Sequence, residues 1–319
     1  MSVEIYAPDY YGAFKCIAGD CKHSCCVGWE IDIDEESLSR YDSVSGEIGR
    51  RLAKNIERDC ECPHFITDDS EKCPFLNTCG LCDLIIELGE DSLCDICREH
   101  PRFRNDFSDR VEIGLGLCCE AAAELVLSHK DKTALVKIGE EEGEQGASNE
   151  EEIEVLRLRA EILDILQDRS LPLKRRLDAA LERVDAENVR LSVEEQKQLF
   201  SSLEYMDAEF AESLQNALDI SLCEADLAEL KIPLEQLAVY FIIRHFSRGI
   251  YCGDLSERVA FAVIGVETVL KLSVSESEKF GDKFAALCDM ARRYSAEIEY
   301  SEDNTDAIIS AFGDKLYTE

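Results

Sequence analysis

From residue 153 onward, apolar residues recur at steps of three and four. Val155, Leu158, Ile162, Ile165 and Leu166 make one stripe, and Arg157, Glu161 and Asp164 fall opposite, which predicts an amphipathic helix. Pro172 suits the first turn of a second helix carrying Leu173, Leu177 and Leu181. Ser192-Val193-Glu194-Glu195 reads as a capping box, in which the serine accepts from the amide three residues on and Glu195 reaches back. A third helix with Leu199, Phe200 and Leu203 should come next. Pro233 opens the most apolar helix, Leu234 to Phe246, and Ser256 precedes another containing Val259, Val263, Val266 and Leu270. A last long helix is expected from Glu278 to Glu299, with Phe280, Phe284, Leu287, Ala291 and Tyr294 on one face. The pattern therefore predicts an all-helical domain of about six helices over residues 153–319.

The first 138 residues carry a different pattern. Trp29-Glu30-Ile31-Asp32-Ile33-Asp34 alternates apolar with acidic positions, as a short strand or extended arm with one buried face would. Asp34-Glu35-Glu36-Ser37 has the character of a helix start, with Leu38 and Tyr41 at helical spacing. Pro74 and Gly80 punctuate the cysteine group from Cys73 to Cys82, and Leu84 to Gly89 is too short to classify. Residues 139–152 combine like charge with glycine and lack apolar anchors, which predicts a solvated hinge with no binding role. The expected fold class is mainly α. A loop-rich cysteine-cluster metal-binding domain (1–138) precedes an acidic linker (139–152) and the all-helical C-terminal domain (153–319).

Composition sharpens this. Thirteen of the sixteen cysteines lie between residues 14 and 120, in pairs at short spacings that packing alone does not explain. The formal charge is −34; Lys and Arg number 13 against 27 Asp and Glu over residues 1–130, which leaves −20 for the remainder. Both halves repel polyanions, so nucleic acid is excluded as a partner at ordinary salt and a lysine-bearing protein suits better. No run of about 18 apolar residues occurs and no secretory pattern opens the chain, so the expectation is a cytoplasmic protein without a membrane partner. In a reducing compartment, clustered thiols are metal ligands or redox groups before they are disulfides.

Two partitions of the thiols are open. Cys79-x2-Cys82 with Cys94-x2-Cys97 has the spacing of a four-thiolate zinc site. The other uses Cys16, Cys21, Cys25, Cys26, Cys73, Cys82, Cys94, Cys97 and Cys118, which exceeds one tetrahedral site and implies a cluster, two sites or some structural members. His23 reads as a bystander among so many thiols, and His245 as a satisfied core histidine.

The run Phe14-x-Cys16-x4-Cys21-x3-Cys25-Cys26-x-Gly28-Trp29-x-Ile31-x-Ile33-Asp34 resembles the flagellin lysine-N-methylase family, within the cysteine-cluster zinc- or iron-chelating proteins. So do Cys73-Pro74-Phe75-Leu76, Gly80-Leu81-Cys82, Leu93-Cys94-x2-Cys97, Pro101-Arg102 and Cys118-x-Glu120. Weaker similarity continues through Tyr240 to Phe246 and Tyr294 to Asn304. Cys60, Cys62 and Cys79 stand outside that pattern, and Cys119 stands where many members have proline. The resemblance implies methyl transfer from S-adenosylmethionine to lysines of flagellin, with an iron–sulfur cluster, [4Fe-4S] in type, on some of the shared cysteines.

A deprotonated lysine amine displaces at a sulfonium without radical chemistry. The Cys-x3-Cys-x2-Cys run of radical enzymes is absent, because Cys26 directly follows Cys25, and no glycine-rich dinucleotide turn occurs beyond Gly114-Leu115-Gly116. Arg102 is the candidate for the cofactor carboxylate, through its planar fork, against a structural salt bridge. Tyr10, Tyr11, Trp29 and Asp34 are candidates for the lysine pocket by proximity, against packing or surface roles. The alternative functions are a non-catalytic zinc- or iron-binding protein whose helical domain docks a partner, and redox sensing through Cys94 and Cys97.

Overall fold

A computed structural model describes residues 2–143, 146 and 149–317. Among the described residues the chain is mainly α, with six strands: β1 (Ser2–Pro8), β2 (Ile56–Glu57), β3 (His64–Phe65), β4 (Arg102–Asp106), β5 (Arg110–Leu115) and β6 (Leu135–Glu142). It divides into two compact units. One holds residues 15–102 and 119–121; the other holds 1–14, 103–118 and 122–319.

The cysteine-rich unit contains α1 (Glu35–Ser43), α2 (Gly46–Lys54), α3 (Asp83–Leu88) and α4 (Asp95–Glu99). Asp34 caps α1 as its sequence suggests, Oδ1 accepting from Ser37 N at 2.8 Å. Ile31 and Ile33 of the alternating run point inward with Phe65, Phe75, Leu52 and Leu84, and Cys73 and Cys94 belong to the same buried core. Phe65 meets Phe75 edge to face at 5.1 Å between centroids. Each such buried ring contributes about 1.5–3 kcal/mol over exposure, so this unit has a small apolar core in which thiols take part.

In the other unit a four-stranded sheet runs in the order β4-β5-β1-β6, with β1 parallel to β5 and antiparallel to β6. It was not expected, although Val3-x-Ile5-x-Ala7 and Val111-x-Ile113-x-Leu115 carry a period of two. Its edge strand corrects the expected linker. Gly139 to Glu142 complete β6, opposite Ile5 to Ser2. Lys137 neutralises Glu4 and Glu140, and Ser2 donates to Glu140, so the acidic run is tied into the sheet. Asn149 then caps the next helix, and buried Glu152 accepts from the backbone and hydroxyl of Ser108. The division at 138 and 153 therefore gives way to one in which the chain's first fourteen residues join the helical unit.

The helices of that unit are α5 (Glu120–Ser128, whose first two residues belong to the cysteine-rich unit), α6 (Glu150–Leu166), α7 (Leu173–Glu182), α8 (Val193–Ser201), α9 (Ala208–Ala217) and α10 (Glu224–Ala228). They continue as α11 (Lys231–His245), α12 (Gly249–Cys252), α13 (Leu255–Phe280), α14 (Lys283–Tyr294) and α15 (Glu302–Tyr317). The box at Ser192 and Glu195 is present as expected. The helix expected over 278–299 is broken. Gly281, at φ +66°, ends α13 in the left-handed conformation that glycine takes freely, and Asp282 caps α14. Beyond α14 the chain widens into a π-helical turn, Ser295–Glu299, before α15.

Candidate metal centre

The cysteine-rich unit gathers five thiols around its core. Cys26 precedes a turn in which Gly28, at φ +92°, accepts a bend that side chains resist, so that Cys73 N can bond Cys26 O at 2.8 Å and Gly28 N can bond Glu71 O at 3.0 Å. Cys73 is thereby fixed beside Cys26. Leu76 bridges to Cys82, the residue before α3, while Cys94 stands at the N-cap position of α4 and Cys97 lies one turn along it. Cys26, Cys82 and Cys94 all lie close enough to Cys73 to oppose its ionisation, and Cys26, Cys73 and Cys94 do the same to Cys97.

Electrostatics divides these thiols. Burial, reinforced by its neighbours, pushes Cys73 up to about 12, and burial raises Cys82. The Cys97 S–H donates to Cys94, lowering Cys94 and raising Cys97. The Cys25 S–H likewise donates to Cys26, whose thiol falls to about 7 against the opposing effect of burial. Cys26 and Cys94 therefore ionise first, and a bound cation would reverse the penalty on the others.

A second set is more exposed. Cys16 and Cys25 are exposed and Cys21 is half-buried, with the Cys21 thiol 3.7 Å from Glu120 Oε2. Cys119, rather than Cys118, belongs to this unit and lies near Cys25 and Cys21. Cys118 belongs to the helical unit, where it bonds Tyr300. Cys60, Cys62 and Cys79 are exposed, and the Cys79 amide is turned onto Asn77 Oδ1 at 2.9 Å. His23 is exposed as well.

Arg102 is half-buried, with Nη1 3.3 Å from Arg98 O. Its charge adds to burial in pulling His100 down to about 4. His100 in turn lies against Trp29 at 5.7 Å between rings, and Trp29 Nε1 donates to Cys25 O at 2.6 Å. Trp29, His100 and Arg102 thus share one neighbourhood with the Cys25–Cys26 turn. Asp34 is committed elsewhere: its second oxygen accepts from Asp95 N at 2.9 Å, so the carboxylate clamps the start of α4 to the start of α1 and is no free base. Tyr10 and Tyr11 belong to the helical unit, and Tyr10 is buried against His129.

That unit contains a buried polar network of its own. Glu299, on the π-turn, accepts from Tyr240 Oη at 3.0 Å and meets His245 Nε2 at 2.5 Å. Tyr240 Oη accepts in turn from Arg244 at 2.6 Å and from Leu117 N at 3.3 Å. Burial opposes the Glu299 charge, but Arg244 and His245 lower its pKa, while burial holds His245 down to about 4. His245 is a core histidine as expected, but not a fully satisfied one, because its buried Nδ1 lacks a hydrogen-bond partner. Sequence reasoning missed Glu299 because an acidic residue in a helical pattern reads as surface; the local widening to a π-turn that faces it inward leaves no mark in periodicity.

The chain is similar to two proteins called lysine-N-methylase, from Salmonella typhimurium and Salmonella choleraesuis, at 24% identity over 139 residues. That stretch is 42% of this chain and 35% of each relative, so the match spans about a third of their length. At the same identity and length it matches the flagellar biosynthetic protein FliU of Salmonella muenchen, of which it covers 82%. These likenesses support the resemblance to the flagellin lysine-N-methylase family. No family model matches the chain, and no solved structure does. Among the described residues, no helix is long and apolar enough to cross a membrane.

Proposed function

We propose that this chain acts in the cytoplasm as an S-adenosylmethionine-dependent protein lysine N-methyltransferase on flagellin, with an iron–sulfur cluster held by thiols of the cysteine-rich unit. The convergence of Cys26, Cys73, Cys82, Cys94 and Cys97 on one core, in a chain similar to lysine-N-methylases, carries this reading. The donor set fits such a group, since thiolate sulfur is the usual ligand of iron–sulfur clusters. Spacing favours a cluster over a single zinc ion in this reading. One tetrahedral ion with zinc–sulfur bonds of about 2.3 Å would hold its sulfurs about 3.8 Å apart. Among the described residues no three cysteine sulfurs lie mutually within 4.8 Å. Thiols held further apart suit a polynuclear cluster better.

The cluster would supply an electron-poor inorganic centre that organises the site; transfer itself is polar. The lysine Nζ lone pair attacks the sulfonium methyl, the carbon–sulfur bond breaks with its electrons remaining on sulfur, and the new ammonium loses a proton to water or a base. In this reading Arg102 binds the cofactor carboxylate through its planar fork, and Trp29 and His100, which lie against each other, would flank the cofactor. The test is anaerobic purification with iron, acid-labile sulfide and zinc measured per chain, followed by transfer from labelled S-adenosylmethionine to flagellin. Iron with matching sulfide and lysine-bound label are expected. Zinc alone with no label would replace this reading by the metal-binding protein that docks a partner without catalysis.

A further inference from the structure

Independently of the thiols and of the proposed activity, a second donor set stands on the opposite face of the alternating run. Ile33 N bonds Pro63 O at 2.7 Å and Phe65 N bonds Ile31 O at 3.1 Å, which makes Asp32 and His64 a directly opposed antiparallel pair of the non-hydrogen-bonded kind. In such a pair the Cα atoms approach to about 4.5 Å and both side chains leave the same face. Glu30, two residues before Asp32, shares that face, while Ile31 and Ile33 point into the core. One ligand atom each from Glu30, Asp32 and His64 lies within 4.8 Å of the others, and Glu30 Oε2 is 3.4 Å from His64 Nε2.

The second observation concerns the other ring nitrogen. His64 Nδ1 lies 3.0 Å from Cys62 O, a carbonyl that can only accept, so Nδ1 carries a proton. That contact orients the ring so that Nε2 faces the carboxylates of Glu30 and Asp32, an arrangement of three donor atoms that a cation between them would stabilise. A backbone carbonyl on the far nitrogen is the support that metal-bound histidines regularly have. Glu57, opposite His64 on the other side, is occupied by Arg58 N and Asp59 N.

We propose that Glu30, Asp32 and His64 bind a divalent first-row transition ion through oxygen and nitrogen donors, with water completing its shell, separate from any thiol-bound metal. The alternative is a protonated His64 paired with Glu30 and no ion. Mn²⁺ is the discriminating probe because it favours oxygen donors over thiolates. The experiment titrates Mn²⁺ into the protein as purified, at 0.15 M salt to screen scattered surface acids, and reads free Mn²⁺ by electron paramagnetic resonance. One saturable ion per chain is expected. Asp32→Asn and His64→Gln should each weaken it about tenfold or more, Glu57→Gln should leave it unchanged, and Mn²⁺ should raise Tm in wild type but not in the two weakened variants. No saturable Mn²⁺ in wild type, or equal affinity in all four proteins, would overturn the proposal. Unchanged far-UV circular dichroism shows that the near-isosteric variants are folded.

Discussion

A cysteine's spacing in the chain says which thiols are neighbours along it, and its burial says which share a site. Cys79 and Cys82 form a motif, yet Cys79 is exposed on a turn closed by Asn77, whereas Cys73, which belongs to no CxxC pair, lies in the core with Cys94. The Cys-Cys-x-Gly-Trp run stood out in the sequence, and its glycine turn explains why Cys26 reaches Cys73. Replacing Cys94 by serine should therefore remove most of the bound metal, measured as metal per chain and by absorption, while Cys79→Ser should retain it. At the buried network, Glu299→Ala should cost about 3–5 kcal/mol by urea unfolding, because it leaves the Arg244 charge without its carboxylate and the Tyr240 hydroxyl proton without an acceptor. His245 adds a pH dependence of known sign. Its folded value of about 4 lies below the ordinary value near 6.5, so the unfolded chain takes up the proton first and stability falls as pH drops from about 6.5 toward 4.

Elements were legible where a stripe or a cap marks them. Asp34, Ser192 and the Val155–Leu166 stripe each gave a helix, because local hydrogen bonds and one buried face suffice to specify it. The sheet was not legible. Its strands lie far apart in the chain, and charged positions such as Glu4 and Lys137 hide its period of two until the ion pairs across β1 and β6 are seen. Asp34 shows how an element serves the site, since one carboxylate caps α1 and holds the first turn of α4, on which Cys94 and Cys97 lie. Asp34→Ala should cost about 1–2 kcal/mol at pH 7 and lower metal retention at a given chelator concentration. Burial opposes the Asp34 charge, but bonds from Asp95 N and Ser37 N prevail and lower its pKa. Its contribution is thus complete above the unfolded value of about 3.9 and lost as pH falls through the lower folded one. Urea midpoints of wild type and variant should converge in acid; a constant gap down to pH 2 would count against the clamp.

At the scale of the molecule the two units draw their stability from different sources, and the chain's composition anticipated that more than its order did. Residues 1–14 and 103–118 lie outside or inside the cysteine-rich stretch in sequence yet build the sheet of the helical unit, a long-range pairing that no local pattern encodes. That unit buries most of α11 and all but the last turns of α13, and pairs buried charges such as Arg159 with Glu112. The cysteine-rich unit has short helices, two-residue strands and a core partly made of thiols, so metal bound there would supply folding free energy directly. Removing metal should therefore act on one unit alone. Hydrogen exchange measured by mass spectrometry, before and after chelation under reducing conditions, should show peptides within residues 15–102 losing protection while those of α11 and α13 keep theirs. Equal loss in both units would mean that the metal stabilises the chain as one cooperative whole, and no loss in either would mean that the thiols pack the core without it.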